Sequence, residues 1–139
     1  MSAIQKAFTL IELLIVVALI GLVTSIAIPL MRPMLDSLAV ERAARDVMGA
    51  YSLSRFAALT YGGAELRLDS LGVTLTARGR VRHASAIVAS HGVRMRASPA
   101  VVRYAATGLA TGLSNGTVIL TRGRAADTIF VSRLGRARR

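Results

Sequence analysis

One apolar run near the N-terminus constrains this chain more than any other feature. From Phe8 to Ile28 the only ionisable residue is Glu12. At a rise of ~1.5 Å per residue, that span just crosses a hydrocarbon core of about 30 Å as a helix. A carboxylate in such a core costs roughly 2.5–3.5 kcal/mol near the bilayer centre and less near its edge. A charge kept there marks a functional position and calls for a cationic partner. Two plainer readings compete for the run. It could serve as a secretory signal peptide, with Lys6 as the basic flank and Ser25-Ile26-Ala27 as the cleavage site, or as a simple membrane anchor. The acid within the run, and a length beyond the about 7–15 residues of a usual signal core, weigh against the signal peptide. Neither plain reading accounts for an acid placed so soon after Phe8-Thr9-Leu10-Ile11.

The stretch Lys6-Ala7-Phe8-Thr9-Leu10-Ile11-Glu12, followed by an apolar helix, resembles the prepilin-peptidase site of type IV pilins and type II secretion pseudopilins. The resemblance implies that residues 1–7 form a leader, removed by a prepilin peptidase between Ala7 and Phe8, and that Phe8 is then N-methylated. It also implies that Glu12 pairs with the terminal amine of a neighbouring subunit in a filament, which supplies the missing cation. Where the family normally has glycine before the phenylalanine, this chain has Ala7, the next smallest residue.

The 139 residues allow one modest domain besides the anchor. Aromatic residues make up only 4%, so the core has to be built from Val, Leu, Ile and Ala. The absence of cysteine excludes disulfides and thiolate metal sites. The net charge of +11 is unevenly placed. Residues 1–61 carry five cations against four acids, whereas residues 62–139 carry 13 arginines against Glu65, Asp69 and Asp127. Such a field favours polyanions such as nucleic acid or anionic lipid. The plainer reading is compositional, an arginine-rich chain from a GC-rich genome.

Lys6 ahead of the span places the N-terminus in the cytoplasm by the positive-inside rule, against which Arg32 just beyond the span acts, and the resemblance implies a span in the inner membrane with the C-terminal domain in the periplasm. Beyond Ile28 the helix is expected to continue over residues 29–61, bent or loosened at Pro29 and Pro33, which lack an amide donor. Leu35, Leu38, Ala39, Ala43, Val47, Ala50 and Tyr51 recur at helical spacing, as does the later pair Ala57 and Leu59. Glu41–Arg45 and Arg42–Asp46 are spaced as i,i+4 ion pairs, and Gly62-Gly63 ends the element. From Ala64 the period changes to two. Glu65-Leu66-Arg67-Leu68, Val73-Thr74-Leu75-Thr76 and Val93-Arg94-Met95-Arg96 alternate as half-buried antiparallel strands do. Two β-rich runs follow, over 117–121 and 128–132. Asn115-Gly116 reads as a turn, and Arg122-Gly123-Arg124 as the start of the loop before the last strand. Ala84 to Ser90 fits a strand or a short helix equally. Six or seven strands in one antiparallel sheet are predicted over residues 62–139. The fold class read from these signals is α+β, and the resemblance implies that it is pilin-like: a long N-terminal helix, half membrane-spanning and half amphipathic, packed on an antiparallel β-sheet domain.

The last part of the chain, with Tyr104 and Gly108, then Gly116-Thr117-Val118-Ile119-Leu120, Ile129-Phe130-Val131-Ser132 and Gly135-Arg136, resembles the GspH/FimT group of minor pseudopilins. Members commonly end in two strands and a Gly-Arg turn. The group's aromatic-x-Pro-x-Gly pattern keeps Tyr104 and Gly108 here and lacks the proline.

Enzyme signals are missing. His83 and His91 have no acid near them in sequence and read as surface residues; no nucleophile–base pair, phosphate loop or metal-ligand cluster stands out, and no cofactor is expected. The one site-like feature is basic. Arg78, Arg80 and Arg82 would face one way in a strand, Arg94 and Arg96 repeat the spacing, and the tail adds Arg133, Arg136, Arg138 and Arg139. Guanidinium forks suit phosphate. Gly135-Arg136-Ala137-Arg138 also resembles the Gly-Arg-x-Arg pattern of FimT-like pilins that bind DNA. The plainer and favoured reading is a solvated face or a contact with acidic neighbours. Two functions follow from the resemblance: a minor pseudopilin in a type II secretion filament, or a pilus subunit capturing DNA for transformation. The expected partners are other pilins, the prepilin peptidase, membrane lipid and, in the second case, DNA.

Overall fold

A computed structural model describes residues 9–112 and 115–139 and forms two compact units, one ending at Met34 and one from Leu35 to Arg139. The helix α1 (Leu10–Tyr61) contributes residues to both. The predicted leader, Ala7 and Phe8 lie outside the described residues.

In the first unit the apolar side chains from Leu10 to Leu30 are exposed along the helix. The helix is long and apolar enough to cross a membrane. Its few hydroxyls are satisfied by its own backbone: Thr24 Oγ1 donates to the Ile20 carbonyl at 2.8 Å and Ser25 Oγ to that of Leu22 at 2.7 Å. A helix that meets its own polar groups in this way suits a medium without water. Pro29 and Pro33 lie inside the unbroken element.

In the second unit α1 buries Val40, Ala43, Ala44, Val47, Ala50, Tyr51, Ser54, Ala57 and Ala58. The buried stripe is made mostly of small residues, and Leu35, Leu38 and Leu59, expected inside, are exposed. The helix side of the core is thus built of small residues, and the strands supply the bulk. Leu66, Leu75, Val102, Val118, Leu120 and Ile129 are the large buried residues opposite. Ser54, buried among them, donates to the Ala50 carbonyl at 2.6 Å. The helix ends at Gly62, whose positive φ of 80° and N–H bond to the Ala58 carbonyl at 2.9 Å close the last turn.

Among the described residues nine strands form two antiparallel sheets, rather than the six or seven in one sheet expected. β1 (Gly63–Leu68), β2 (Val73–Ala77), β3 (Arg80–Ser85), β5 (Val101–Ala105) and β6 (Ala110–Thr111) make the first, in the order β3-β2-β1-β5-β6. β4 (Arg94–Ser98), β7 (Gly116–Arg122), β8 (Ala125–Val131) and β9 (Ala137–Arg138) make the second, in the order β4-β7-β8-β9. The segment 84–90 divides: β3 runs to Ser85 and a short helix, α2 (Ile87–His91), follows, closed by Gly92 in the left-handed conformation. Gly123-Arg124 is a two-residue turn between β7 and β8, so the strand after it is the penultimate one.

Candidate functional site

At the start of α1 the chemistry is local. The Thr9 N–H and hydroxyl both donate to Glu12 Oε2, at 3.3 and 3.4 Å, and the Glu12 N–H donates to Thr9 Oγ1 at 3.3 Å. This is a reciprocal capping box, in which a threonine and a glutamate three residues on satisfy two amides that a helix start would otherwise leave bare. Its signal in the sequence is Thr-x-x-Glu before an apolar run, which the charge argument alone does not use. The box holds the carboxylate at the N-terminal end of the helix, where the backbone dipole also favours a negative charge. Glu12 is thus tied to Thr9 within its own helix while remaining exposed.

The arginines divide into those the subunit uses and those it leaves open. Arg78 Nε donates to the Tyr61 carbonyl at 3.1 Å, and the Arg82 guanidinium lies 4.2 Å from the centre of the Tyr61 ring. The last turn of α1 carries no basic residue of its own, so two arginines from the β2–β3 hairpin meet the negative end of the helix. The three arginines do not share one strand face: Arg78 sits in the turn with φ of 51°, and the register shifts between Leu75 and Thr76 so that Arg82 is the extra, unpaired residue of β3. Arg139 is also engaged. Its Nε lies 2.7 Å from Asp127 Oδ2, an ion pair off the N–H axis, and its Nη1 is 3.5 Å from Glu41 Oε1.

His91 is a correction to the surface reading. Its Nε2 lies 2.7 Å from Asp46 Oδ2, and its carbonyl accepts from Arg122 Nη1, while Arg122 Nε donates to Asp36 Oδ1 at 2.9 Å. Asp46 therefore turns to His91 rather than to Arg42, whereas the Glu41–Arg45 pair is present at 3.5 Å. His83 is exposed, as expected.

The remaining sequence candidates lie on or beside the second sheet. By register, Ser98, Thr117, Phe130 and Arg138 form one row across its outward face; Arg96, Ile119 and Thr128 form the next, and Arg94, Thr121 and Ala126 the third. Phe130 is 58% exposed and Ile119 41%. Arg136 and Arg138 line a hollow of about 520 Å³ with Phe130 and Thr117, and Arg96 lines an adjoining one of about 350 Å³ with Ile119 and Thr117. Arg80, on β3 of the first sheet, and Arg133, in the turn between β8 and β9, are exposed.

The Gly-Arg turn is held in place from the other sheet. Tyr104, buried on β5, donates its hydroxyl to the Gly135 carbonyl at 2.9 Å. A β-carbon on Gly135 would run into the Tyr104 ring and come within 2.9 Å of Ala110 Cβ, and φ there is +75°. Burial pushes the Tyr104 phenol up to about 12, with the Arg55 guanidinium acting in the opposite direction. Arg55 Nε itself donates to the Gly108 carbonyl at 3.2 Å, and Gly108 packs against Leu59. Tyr104, Gly108 and Gly135, which carry part of the C-terminal resemblance, are thus one packing unit joining α1, β5 and the final turn.

Comparison with known proteins gives two findings. Residues 3–28 match the prokaryotic N-terminal methylation motif. Two crystal forms of the type IV minor pilin FimU of Pseudomonas aeruginosa share the architecture. The first has a TM-score of 0.55 at 12% identity, over 70% of this chain and 90% of that one. The second has a TM-score of 0.53 at 13% identity, over 71% and 86%. The fold is a pilin fold. No curated protein sequence matches the chain. At such identity the likeness is one of architecture, and it agrees with the methylation motif in describing a type IV pilin-like chain whose N-terminal helix is long and apolar enough to cross a membrane.

Proposed function

We propose that the chain is a minor pseudopilin, a structural subunit of a type II secretion filament that takes part in export across the outer membrane. The observation that carries this is Glu12: a carboxylate at the N-terminal end of a helix whose apolar side chains are exposed from Leu10 to Leu30, inside a methylation motif. In this reading cleavage between Ala7 and Phe8 frees an amine, Phe8 is methylated, and a neighbour's amine takes the Glu12 carboxylate from Thr9. The N-terminus faces the cytoplasm and the β-domain the periplasm, with the helix in the inner membrane. Head-to-tail contacts of this kind are heterologous and build an open helical assembly.

The capping box permits a clean test. Glu12→Gln keeps a side chain able to cap the helix and removes only the charge. We expect Glu12→Gln to insert and be processed normally and to be lost from filaments, measured by N-terminal mass spectrometry and by co-purification with filament subunits. Normal incorporation would leave Glu12 as a helix cap and nothing more.

Capture of DNA by the arginines is the alternative. It draws on the Arg136–Arg138 hollow, and it ranks lower because Arg78, Arg82 and Arg139 are engaged within the subunit. Loss of DNA binding at low salt in Arg136→Ala/Arg138→Ala is the outcome that would raise it above the filament reading.

A further inference from the structure

We infer that the outward face of the second sheet is a docking surface for an acidic segment of another protein, one in which carboxylates flank a bulky apolar side chain. Ile119 and Phe130 stand exposed near the middle of this face, and arginines stand on both sides of them. Arg94 and Arg96 lie on the edge strand β4, and Arg136 and Arg138 lie at the β9 side. β4 and β9 are three strand spacings apart, about 14 Å, so the apolar pair sits in a basic frame. The two hollows meet at Ser98 and Thr117 and together cross the face.

None of these four guanidinium groups has an ion pair or hydrogen bond among the described residues. The reason lies in where the acids went. Residues 62–139 contain only three: Glu65 is paired on the other sheet, Asp69 accepts the turn amides of Leu71 and Gly72, and Asp127 is engaged by Arg139. Asp127 stands opposite the buried Leu120, and so belongs to the inward face by alternation. Among the described residues the outward face therefore has no acid of its own, and complementarity has to come from outside.

The chemistry of the face selects a polypeptide over a polyphosphate. An apolar centre containing an aromatic residue, framed by arginine, is the composition of a protein interface. Tight phosphate binding rests on a larger number of cations along a backbone track, and sequence-tolerant binding of single strands rests on several stacking aromatics. This face offers four separated cations and one aromatic ring. A second copy of this chain does not supply the occupant either. Apart from Glu12 in the apolar run, its acids are Asp36, Glu41, Asp46, Glu65, Asp69 and Asp127, all of which hold partners within the subunit.

The test uses the full chain in neutral detergent, unassembled, so that it stands independently of the filament reading. The probe is a short fluorescent peptide with glutamates around a leucine and a phenylalanine, followed by anisotropy at moderate salt. Replacing its two apolar residues by serine is expected to weaken binding about tenfold, and Arg96→Glu/Arg138→Glu in the protein to do the same or more. Phe130→Ser should match the serine peptide, and Thr128→Glu, a change at a half-buried position of the outward face beside Ile119, should give a folded protein that no longer binds. Arg80→Glu, on the other sheet, should leave binding unchanged. The inference is overturned if the serine peptide binds equally well, or if Arg80→Glu weakens binding as much as Arg96→Glu/Arg138→Glu. It is equally overturned if a DNA duplex or phosphatidylglycerol vesicles bind through this face while the peptide does not.

Discussion

The two sheets of the domain share a core and differ on their outward faces. On the first, Glu65 sits in a row with Val81, Thr76, Arg103 and Thr111, and its carboxylate meets Arg103 at 2.9 Å and Arg67 at 3.4 Å. That face is closed by its own charges, with threonines between them. On the second, the corresponding rows hold Arg94, Arg96 and Arg138 around Ile119 and Phe130, with no acid. One carboxylate accounts for much of the contrast. Exposed ion pairs contribute little to stability, commonly below about 1 kcal/mol, so Glu65 is there less to hold the sheet than to silence it. The lesson is that a strongly basic domain need not be basic everywhere: what matters is which guanidinium groups are left without an internal partner.

The largest effect should come from unseating the turn that ends the second sheet from the first-sheet residues that hold it. Gly135 positions Arg136 and Arg138, and its neighbours leave no room for a β-carbon. Gly135→Ala adds a clash with the Tyr104 ring to a left-handed backbone strain, and overpacking of this kind typically costs about 1–3 kcal/mol. We expect a drop in melting temperature of several degrees and loss of acidic-peptide binding, with the Glu65 pairs on the first sheet untouched. An unchanged melting temperature would mean that the turn is not locked as described.

Alkaline pH should act on the same lock from the other side. Tyr104 belongs to the first sheet and holds the turn that ends the second. Burial raises its phenol to about 12, and raises Tyr51 as well, with Tyr104 adding to the Tyr51 shift. The unfolded chain releases these protons near pH 10. Between the two values the folded state binds more protons than the unfolded one, so stability is fully present below about pH 10 and falls as pH rises toward 12. Melting temperature followed from neutral to alkaline pH should therefore decline above about pH 10. Tyr104→Phe should show a shallower decline from a lower starting point, having lost one hydrogen bond of about 1 kcal/mol.

Much of this architecture is legible in the sequence, because the signals are local. The apolar run, the Gly62-Gly63 stop and the change of period at Ala64 depend on neighbours a few residues apart, and the helix and the strands β1, β2, β4, β7 and β8 fall where those signals put them. What is not legible depends on partners far apart in the chain. Alternation shows that a segment is a strand and says nothing of which strand it joins, and β4 skips β5 and β6 to pair with β7. The His91–Asp46 and Arg122–Asp36 contacts span 45 and 86 residues. Spacing therefore gathers Arg78 and Arg82 with the open arginines, although Tyr61 claims both of them. Likeness picks out Gly135-Arg136, but the physical reason for the glycine is the Tyr104 ring beside it, some thirty residues away in the chain.

The smallest change in stability should separate the two faces most sharply. Glu65→Gln removes one charge from the first sheet and leaves Arg67 and Arg103 without their carboxylate. Both arginine side chains are well exposed, so the free energy of unfolding should move by less than about 1 kcal/mol. If internal pairing is what keeps that face quiet, the variant should gain weak affinity for glutamate-bearing peptides of either kind, apolar or serine-substituted. It should not gain the full preference for the apolar peptide, because the one well-exposed large apolar side chain in the Glu65 row is Val81, smaller than Ile119 and Phe130 and without an aromatic ring. Gain of charge-driven binding without apolar selectivity would separate the two ingredients of the second sheet's face. Full selectivity in Glu65→Gln would instead mean that Ile119 and Phe130 contribute nothing beyond their exposure.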